Sequence, residues 1–428
     1  MFRSVLATLT LKPEELPEDI PSGMRILVDE LKMLTGLSVA CGSAQHSACF
    51  HTGLAREVLG PDTGFAPAPL PISPQSLFDL ASLTKLFCAV AVLQLMETGK
   101  LSLQDCIGEK DKRFAFLRQT TLYDVLTYQA VLRSPERIDR QPDAAGARTQ
   151  VFLIYQDKGP EPARLYSDMN ALVLKYLVET ISGLSFFEYL RRHILMPCGM
   201  AETFAQVPPE RLKDCLDYNY EHHLIEGKPV LLDKAGPGLP HDPKARLLCG
   251  GGMDLAGHAG LFSTLGDMTL LAQGMLQGAV LQHATLHEMG RNRTGRYGRG
   301  IPYRQYLGYL CFSKSADQRL SELPSFMGDK AIGFSGYTGN HFALDPVLGV
   351  FDIFLGNRCH NRVAVIEPAH DAARYHLSPE GAGRIPWPDG RLVQSSWHYV
   401  YQKDRLLHTA CCRYLKLEGW LAQAQAGQ

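Results

Sequence analysis

The sequence predicts an α+β fold in which helices flank one antiparallel sheet built from both chain ends, with a helical lobe inserted. Two observations lead to this prediction. Strand-like segments separated by turn residues cluster towards the two ends, at 37–51 and 331–356, whereas helical periodicity dominates the middle third. An antiparallel sheet can join strands that lie far apart in the chain, so a cleft is expected between sheet and helices. The expected organisation is a single domain over 1–428, with a sheet lobe at about 1–75 and 255–428 and a helical lobe at about 76–254.

Length, charge and apolar patterning exclude several classes of function. The chain has 428 residues and a formal net charge of −1, which gives no long-range field to attract nucleic acid or an anionic membrane. The segment 1–11 lacks the cleavage site of a signal peptide, and no stretch of roughly 18 uncharged apolar residues follows it. We therefore expect a cytoplasmic protein that binds neither nucleic acid nor a membrane.

The first elements are predicted to be a helix and a hairpin. An amphipathic pattern over 22–34 predicts the helix, and alternating segments at 37–41 and 47–51 predict the two strands. The segment 54–74 is rich in proline and glycine without periodicity, so it is predicted to be a loop. This loop leads into the most informative stretch of the chain.

That stretch is FDLASLTK at 78–85, followed by an apolar run that predicts a helix buried on every side. Ser82 and Lys85 are three residues apart, so the hydroxyl and the amine can meet on one face of the first turn. Burial is expected to lower the pKa of Lys85, which would let the amine take the serine proton near neutral pH. A serine beside a base is the minimum equipment for nucleophilic catalysis, and a chance Ser-x-x-Lys spacing is the alternative.

The rest of the chain is predicted mainly from helical periodicity in the middle and strand signals after it. Helices are predicted at 121–132, 170–181, 267–277 and 397–422, and strands at 309–312, 331–340, 341–344 and 350–356. Irregular segments are predicted at 135–150, 211–242 and 292–325, and a flexible turn at 250–252.

Four motifs, in this order, resemble those of the serine β-lactamase and penicillin-binding-protein superfamily. They are FDLASLTK at 78–85, YSD at 166–168, GHAGLFST at 257–264, and GYTG at 336–339 ahead of a strand that ends in GNR. The resemblance is to the class-C-like branch, which includes esterases, D-aminopeptidases and D-stereospecific amidases. It covers most of the chain and implies a β-lactamase-like fold.

The resemblance implies roles for the residues of the first two motifs. It assigns the nucleophile to Ser82 and proton transfer to Lys85 and Tyr166, because a phenol beside an ammonium can carry the serine proton to a leaving group. Asp168 stands where the family has Asn or Asp, and is expected to hold Lys85. Without the family pattern, Tyr166 would be interpreted as a half-buried aromatic residue at a helix start.

The third catalytic element of the family is Lys-Thr-Gly or His-Thr-Gly on an edge strand, and the match here is Phe334-Ser335-Gly336. The backbone N–H groups of Ser82 and Tyr337 would form the oxyanion hole, and glycine lets the strand approach a substrate. Phe334 replaces the cation that helps to bind a substrate carboxylate in the family, which favours an ester or amide with a neutral apolar group. Alternatively, Phe334 packs under the strand and an arginine elsewhere supplies the charge.

His258 has two interpretations. It lies between small residues in Gly-His-Ala-Gly, so it could contact substrate, or it could be a buried histidine bonded to the backbone. His241 and Asp242 precede it without the H-E-x-x-H spacing of a metalloprotease, and we therefore predict neither a metal nor another cofactor.

The sequence therefore predicts a serine hydrolase that forms an acyl-enzyme on Ser82 and acts on a small ester or amide. A D-amino-acid-specific peptidase or amidase, or a β-lactamase-type enzyme, is the first alternative. A non-catalytic binding protein on the same fold is the second, and the presence of Ser82, Lys85 and Tyr166 argues against it. The sequence does not indicate the oligomeric state.

Overall fold

The computed structural model describes residues 16–57, 69–159, 165–232, 236–250, 255–294, 296–297, 304–314 and 322–421. The expectation for the segment 1–11, most of the glycine turn at 250–252 and parts of the predicted loops lie outside these residues. Within the described ranges, every helix is too short or too polar to cross a lipid bilayer.

Strands and helices are numbered separately in chain order. The strands are β1 Gly36–Ser43, β2 Ser47–Arg56, β3 Leu70–Pro71, β4 Phe78–Asp79, β5 Leu132–Arg133, β6 Tyr155–Gln156, β7 Glu221–Ile225, β8 Lys228–Leu232, β9 Phe262–Ser263, β10 Arg296–Tyr297, β11 Arg304–Gln305, β12 Ile332–Gly336, β13 Asn340–Asp345, β14 Val350–Gly356, β15 Arg362–Glu367, β16 Arg384–Pro386 and β17 Leu392–Ser395. The α-helices are α1 Ile20–Arg25, α2 Thr84–Glu97, α3 Ile107–Lys110, α4 Leu122–Leu126, α5 Ala144–Phe152, α6 Asp168–Ser182, α7 Phe186–Leu190, α8 Met196–Cys198, α9 Pro243–Leu248, α10 Leu265–Leu276, α11 His283–Met289, α12 Tyr399–Lys403 and α13 Thr409–Leu417.

The large sheet joins the two ends of the chain, as predicted. Its strand order is β12-β13-β14-β1-β2-β3, and every neighbouring pair is antiparallel. Strand β1 pairs with β14 from Leu37 opposite Gly356 to Ser43 opposite Val350. The predicted loop at 54–74 was wrong at its ends, because β2 runs on to Arg56 and pairs with β3.

Helix α2 is the buried central helix that the sequence predicts. Ten consecutive residues from its first position are buried, including the side chain of Lys85. The helix packs against α6, which is likewise buried through most of its length. The Ser-x-x-Lys pair thus stands at the entrance of the core rather than on a solvated face.

Several local predictions were wrong. The segment 135–150 was predicted to be irregular, but it contains most of helix α5. Asp143 caps this helix by accepting a hydrogen bond from Gly146 N–H. The helix was missed because its many small residues show no apolar periodicity. The helix predicted at 121–132 ends at Leu126, and Tyr128 has a left-handed backbone with φ 57°. The strand predicted at 309–312 is a tight bend around Leu310, φ 58°.

The sequence also missed a second sheet. Its strand order is β16-β17-β15-β7-β8, with β15 parallel to both β7 and β17. Strand β7 lies in the segment 211–242, which was predicted to be irregular. The prediction missed this strand because its buried residues include Glu221 and His222, so the sequence shows no apolar alternation. The residues of β8 are all exposed, so this strand gives no burial signal either.

A buried polar network fastens the C-terminal helical segment to the large sheet. His408 lies 2.8 Å from Asp352 of β14 and 3.2 Å from Asp404. Burial alone would lower the pKa of His408, but the two carboxylates raise it above its ordinary value. The imidazolium therefore contributes stability that is fully present below the unfolded-state pKa of about 6.5. That contribution is lost as the pH rises through the raised folded-state pKa.

We expect His408→Leu to lower the free energy of unfolding by about 3 kcal/mol at pH 6, because it leaves a buried carboxylate without its cation. The loss should shrink as the pH rises and the wild-type imidazolium gives up its proton. Urea denaturation across this pH range measures both effects. Replacing the exposed His370 by leucine is the control, and a loss from His408→Leu that is independent of pH contradicts the charged role.

Candidate active site

Ser82 lies on a short turn between a strand and the central helix. Strand β4 pairs with β9, and a single 3₁₀ turn, Ala81–Leu83, then leads into α2. Ala81 has a left-handed backbone, φ 47°, which a residue with a side chain adopts at a cost of about 1 kcal/mol or more. The buried carboxylate of Asp79 accepts from Ala81 N–H at 2.8 Å and holds this conformation. Sequence reasoning missed Asp79, although an aspartate two residues before a turn is a known signal.

Lys85 lies beside Ser82 and is fully buried. Its Nζ donates to Ser82 Oγ at 2.9 Å, to Asp168 Oδ1 at 2.7 Å and to the backbone oxygen of His258 at 3.2 Å. These three acceptors come from three different segments of the chain and surround the ammonium group. The structure thus brings together Ser82, Lys85, Asp168 and His258, which the sequence placed in three different motifs.

The expected lowering of the Lys85 pKa was wrong. Burial by itself would lower it, but the carboxylate of Asp168 and the phenol of Tyr166 raise the pKa above its ordinary value. Sequence reasoning counted the burial and omitted the charge of Asp168. Lys85 is therefore an ammonium at neutral pH. It donates a hydrogen bond to Ser82 Oγ and has no lone pair with which to accept the serine proton.

Tyr166, to which the resemblance assigns proton transfer, lies beside Lys85. Its half-buried ring stacks on Phe312 at 4.9 Å between centroids and lies 5.6 Å from the ring of Tyr128. The Lys85 ammonium is 4.9 Å from the Tyr166 ring centre, and the phenol interacts with it by charge and hydrogen bonding. Packing against these two rings therefore holds Tyr166 beside the Lys85 ammonium.

Five residues form a closed circuit of polar contacts, which we call the charge ring: Lys85, Asp168, Lys244, Asp242 and His258. Lys244 Nζ lies 3.1 Å from Asp168 Oδ2 and 3.1 Å from Asp242 Oδ2. Asp242 Oδ1 lies 2.9 Å from His258 Nε2, and the His258 backbone oxygen closes the ring on Lys85. Neighbouring cations hold the pKa values of both carboxyl groups well below their usual range, although burial alone would raise them.

The charge ring decides between the two interpretations of His258. The residue is 1% exposed, so its imidazole does not reach a substrate. It is the predicted buried histidine, but the imidazole bonds to a carboxylate while the backbone oxygen binds Lys85. The sequence did not indicate Lys244, since no motif connects it with Asp168.

Among the described residues, three groups of side chains have the donor atoms of a metal site, and in each group donor atoms already contact other protein groups. In the charge ring, Asp168, Asp242 and His258 have ligand atoms within 4.8 Å of one another, and the Lys244 ammonium bridges the two carboxylates. In the His341–Asp352–His408 group, Asp352 contacts both imidazoles. The third group is Glu221, His241 and Cys359, in which the carboxylate already contacts His241.

Strand β12 approaches the Ser82 segment as closely as a strand can. A Cβ on Gly336 would lie 2.8 Å from the backbone oxygen of Leu80, so glycine is required for this approach. The turn that follows is tied to the same segment, because Thr338 Oγ1 and Asn340 Nδ2 both donate to the Asp79 backbone oxygen, at 3.0 and 2.7 Å. These contacts bring the backbone of the turn at 337–339 beside the Ser82 segment.

The side chains of strand β12 differ from what the sequence predicts. Phe334 is 1% exposed and packs in the core, so the expectation that its ring contacts substrate was wrong and the packing alternative describes it. Successive side chains of a strand point to opposite faces, so Ser335 points away from the core that holds Phe334. The Ser335 hydroxyl donates a hydrogen bond to the carboxylate of Glu322. The exposed aromatic residue at this edge is Tyr337, whose side chain is 41% exposed.

Tyr337 is held by a polar cluster that the sequence did not reveal. Its hydroxyl donates to Glu221 Oε1 at 2.7 Å, and its ring stacks on His241 at 5.6 Å between centroids. His223 also contacts Glu221, at 2.8 Å. Glu221, His223 and His241 all come from the segment 211–242, which has no periodicity and therefore gives no sequence signal.

A family model described as Beta-lactamase matches residues 62–375 of the chain. The chain belongs to the beta-lactamase family. The match confirms the resemblance inferred from the four motifs and the β-lactamase-like fold, and it makes this member of the beta-lactamase family a serine hydrolase.

Relatives and solved structures agree with this assignment. A protein of Salmonella typhi named "Putative D-alanyl-D-alanine carboxypeptidase" is 26% identical over 323 residues, which are 69% of this chain and 72% of the relative. EstCE1, described as a hydrolase with promiscuous acyltransferase activity, has a TM-score of 0.60 at 16% identity and matches 83% of this chain and 94% of its own. A class C beta-lactamase mutant gives a TM-score of 0.57 at 16% identity, over 79% and 92% of the two chains. At these identities the solved structures show the shared fold alone.

Proposed function

We propose that this member of the beta-lactamase family hydrolyses a small ester or amide through an acyl-enzyme on Ser82. The observation that carries the proposal is the contact of the Ser82 hydroxyl with a buried ammonium that also binds Asp168. A serine in this setting has a fixed hydroxyl and a local positive charge that favours a negative neighbour.

Tyr166 is the proposed general base, because Lys85 has no lone pair to accept a proton. Ser82 Oγ attacks the carbonyl carbon and passes its proton to the Tyr166 phenolate, whose charge the Lys85 ammonium stabilises. The phenol then protonates the leaving oxygen or nitrogen as its bond to the carbonyl breaks. In the second half, water attacks the acyl carbon and gives a proton to the Tyr166 oxygen. Tyr166 passes this proton to Ser82 Oγ as the bond between Oγ and the acyl carbon breaks, which releases the acid and regenerates the Ser82 hydroxyl.

The backbone N–H groups of Ser82 and Tyr337 are the proposed oxyanion donors. The close approach of Gly336 and the bonds from Thr338 and Asn340 to the Asp79 backbone oxygen support this assignment, because they fix the second donor against the first. Main-chain donors that are already in place stabilise negative charge without reorganisation.

Three observations bear on the substrate class, and they point in different directions. Phe334 is buried and strand β12 carries no cation at that position, which favours an ester or amide without a required carboxylate. The name of the Salmonella typhi relative favours a D-amino-acid peptide or amide as the second candidate. A β-lactam is the third candidate, since a class C beta-lactamase mutant shares the fold.

Intact-protein mass spectrometry tests the proposal. The protein is exposed briefly to a fluorophosphonate, a p-nitrophenyl acyl ester, a D-alanyl-D-alanine peptide and a penicillin, in parallel with Ser82→Ala. We expect fluorophosphonate and ester adducts on the wild type and none on the variant. If the peptide or the penicillin forms the adduct instead of the ester, the substrate is a D-amino-acid peptide or a β-lactam. If no reagent forms an adduct, the proposal fails and the non-catalytic binding protein becomes the preferred function.

A further inference from the structure

We propose that Lys244 is a positioning residue for proton transfer at Ser82, and that its charge sets the pH range in which the serine reacts. The inference rests on the proposed function and extends it to a residue outside the four motifs. Lys244 supplies the site with a second cation in addition to Lys85. This cation comes from helix α9, whereas the corresponding position of strand β12 holds the buried Phe334.

The position of Lys244 is set by the start of α9. Asp242 caps this helix by accepting from Ala245 N–H at 2.8 Å, so its carboxylate is fixed beside the first turn. Lys244, in that turn, reaches back to Asp242 and across to Asp168, 3.1 Å from each. Its side chain is only 20% exposed, so the ammonium is a localised charge between two carboxylates and not a solvated surface group.

Asp168 therefore binds two cations, one on each oxygen. Oδ1 contacts Lys85 at 2.7 Å and Oδ2 contacts Lys244 at 3.1 Å. With only Lys85 present, the carboxylate would be free to rotate and would place a less compensated negative charge next to Tyr166. Lys244 fixes the rotation and offsets this charge, so the electrostatic environment of the proton-transferring groups depends on it.

Other charged groups around the site belong to several elements. Asp139, from the 3₁₀ turn Ile138–Arg140, also faces Lys244, and Arg246 of α9 interacts with Asp242. Among the described residues, Cys88, Tyr128 and His258 also interact electrostatically with Lys85, Tyr166 or Asp168. Burial raises the pKa of Cys88 to about 12 and that of Tyr128 well above its ordinary value, so both are neutral near pH 7. Among the described residues, only Lys85 and Lys244 form ion pairs with Asp168.

The test measures the rate at which a fluorophosphonate labels Ser82 as a function of pH, because this reaction needs an activated serine but no known substrate. We expect Lys244→Met to move the acidic limb of the profile upward by about one pH unit, since the site loses the positive charge that offsets Asp168. On that limb, labelling should be about tenfold slower than in the wild type. Lys244→Arg should retain most of the wild-type profile.

Controls separate this inference from a structural effect and from the proposed function. Lys112→Met removes the same charge from an exposed pair with Glu109 and should leave the profile unchanged. A fold defect in Lys244→Met would lower the labelled fraction at every pH without moving the limb, and Lys244→Gln gives a second neutral side chain if the methionine variant does not fold. An unmoved limb in the neutral variants overturns the inference, whereas failure of the wild type to label at Ser82 overturns the proposed function itself.

Discussion

Replacing Tyr166 by phenylalanine is expected to slow acylation of Ser82 by about 10²–10⁴-fold, the usual contribution of a positioned proton-transfer group. The variant removes only the hydroxyl, so the ring still stacks on Phe312 and beside Tyr128. Lys85 cannot replace the lost base, because the raised pKa keeps it an ammonium without a lone pair. Single-turnover acylation by a p-nitrophenyl ester, together with the thermal midpoint of unfolding, measures the effect.

Tyr128→Phe is the matched control. Its hydroxyl donates to the Leu310 backbone oxygen at 3.2 Å, in the core next to Tyr166. Losing this bond should lower the free energy of unfolding by about 1 kcal/mol and change acylation only a few-fold. If Tyr166→Phe acylates at the wild-type rate, the phenol is not the base, and the earlier assignment of that role to Lys85 has to be reconsidered.

Gly336→Ala is expected to lower the rate of acylation by about 10²–10³-fold, comparable to the loss of one oxyanion donor. The new Cβ would lie 2.8 Å from the Leu80 backbone oxygen, a distance that real Cβ atoms do not tolerate. Because that neighbour is main chain, strand β12 must move away from Ser82 and carry the Tyr337 N–H with it. The measurement is kcat/KM for the ester, with KM expected to change much less than kcat.

Gly266→Ala provides the comparison for this variant. Gly266 lies in helix α10, where an added Cβ would meet its nearest neighbour at an ordinary 3.7 Å. Alanine should therefore be neutral or slightly stabilising at that position. An alanine at 336 that leaves kcat unchanged would show that Tyr337 N–H does not bind the oxyanion.

The sequence predicted the parts of the site that depend on local spacing or on apolar pattern. The buried helix α2, the Ser82–Lys85 contact and the sheet joined from both chain ends all follow from patterns of this kind. The predicted direction of the Lys85 pKa shift was wrong because the prediction omitted the charge of Asp168. This carboxylate is 83 residues away along the chain, although it binds Lys85 directly. Electrostatics depends on distance in space, which a spacing rule does not supply.

Other parts of the site gave no sequence signal at all. The polar cluster around Tyr337 uses Glu221, His223 and His241, which lie in segments without periodicity. Buried polar groups become recognisable only when their partners are known, because each is stable only through hydrogen bonds to distant residues. The same holds for Lys244, which resembles any surface lysine until its two carboxylate partners are placed beside it.

Asp79 connects three separate segments around Ser82. Its carboxylate binds the backbone N–H groups of Ala81 and His241, at 2.8 and 2.6 Å, and its backbone oxygen accepts from Thr338 and Asn340. One buried residue thus forms hydrogen bonds with the serine turn, the segment before α9 and the turn after β12. We therefore expect these three segments to move together, which would keep the spacing of the proposed oxyanion donors constant.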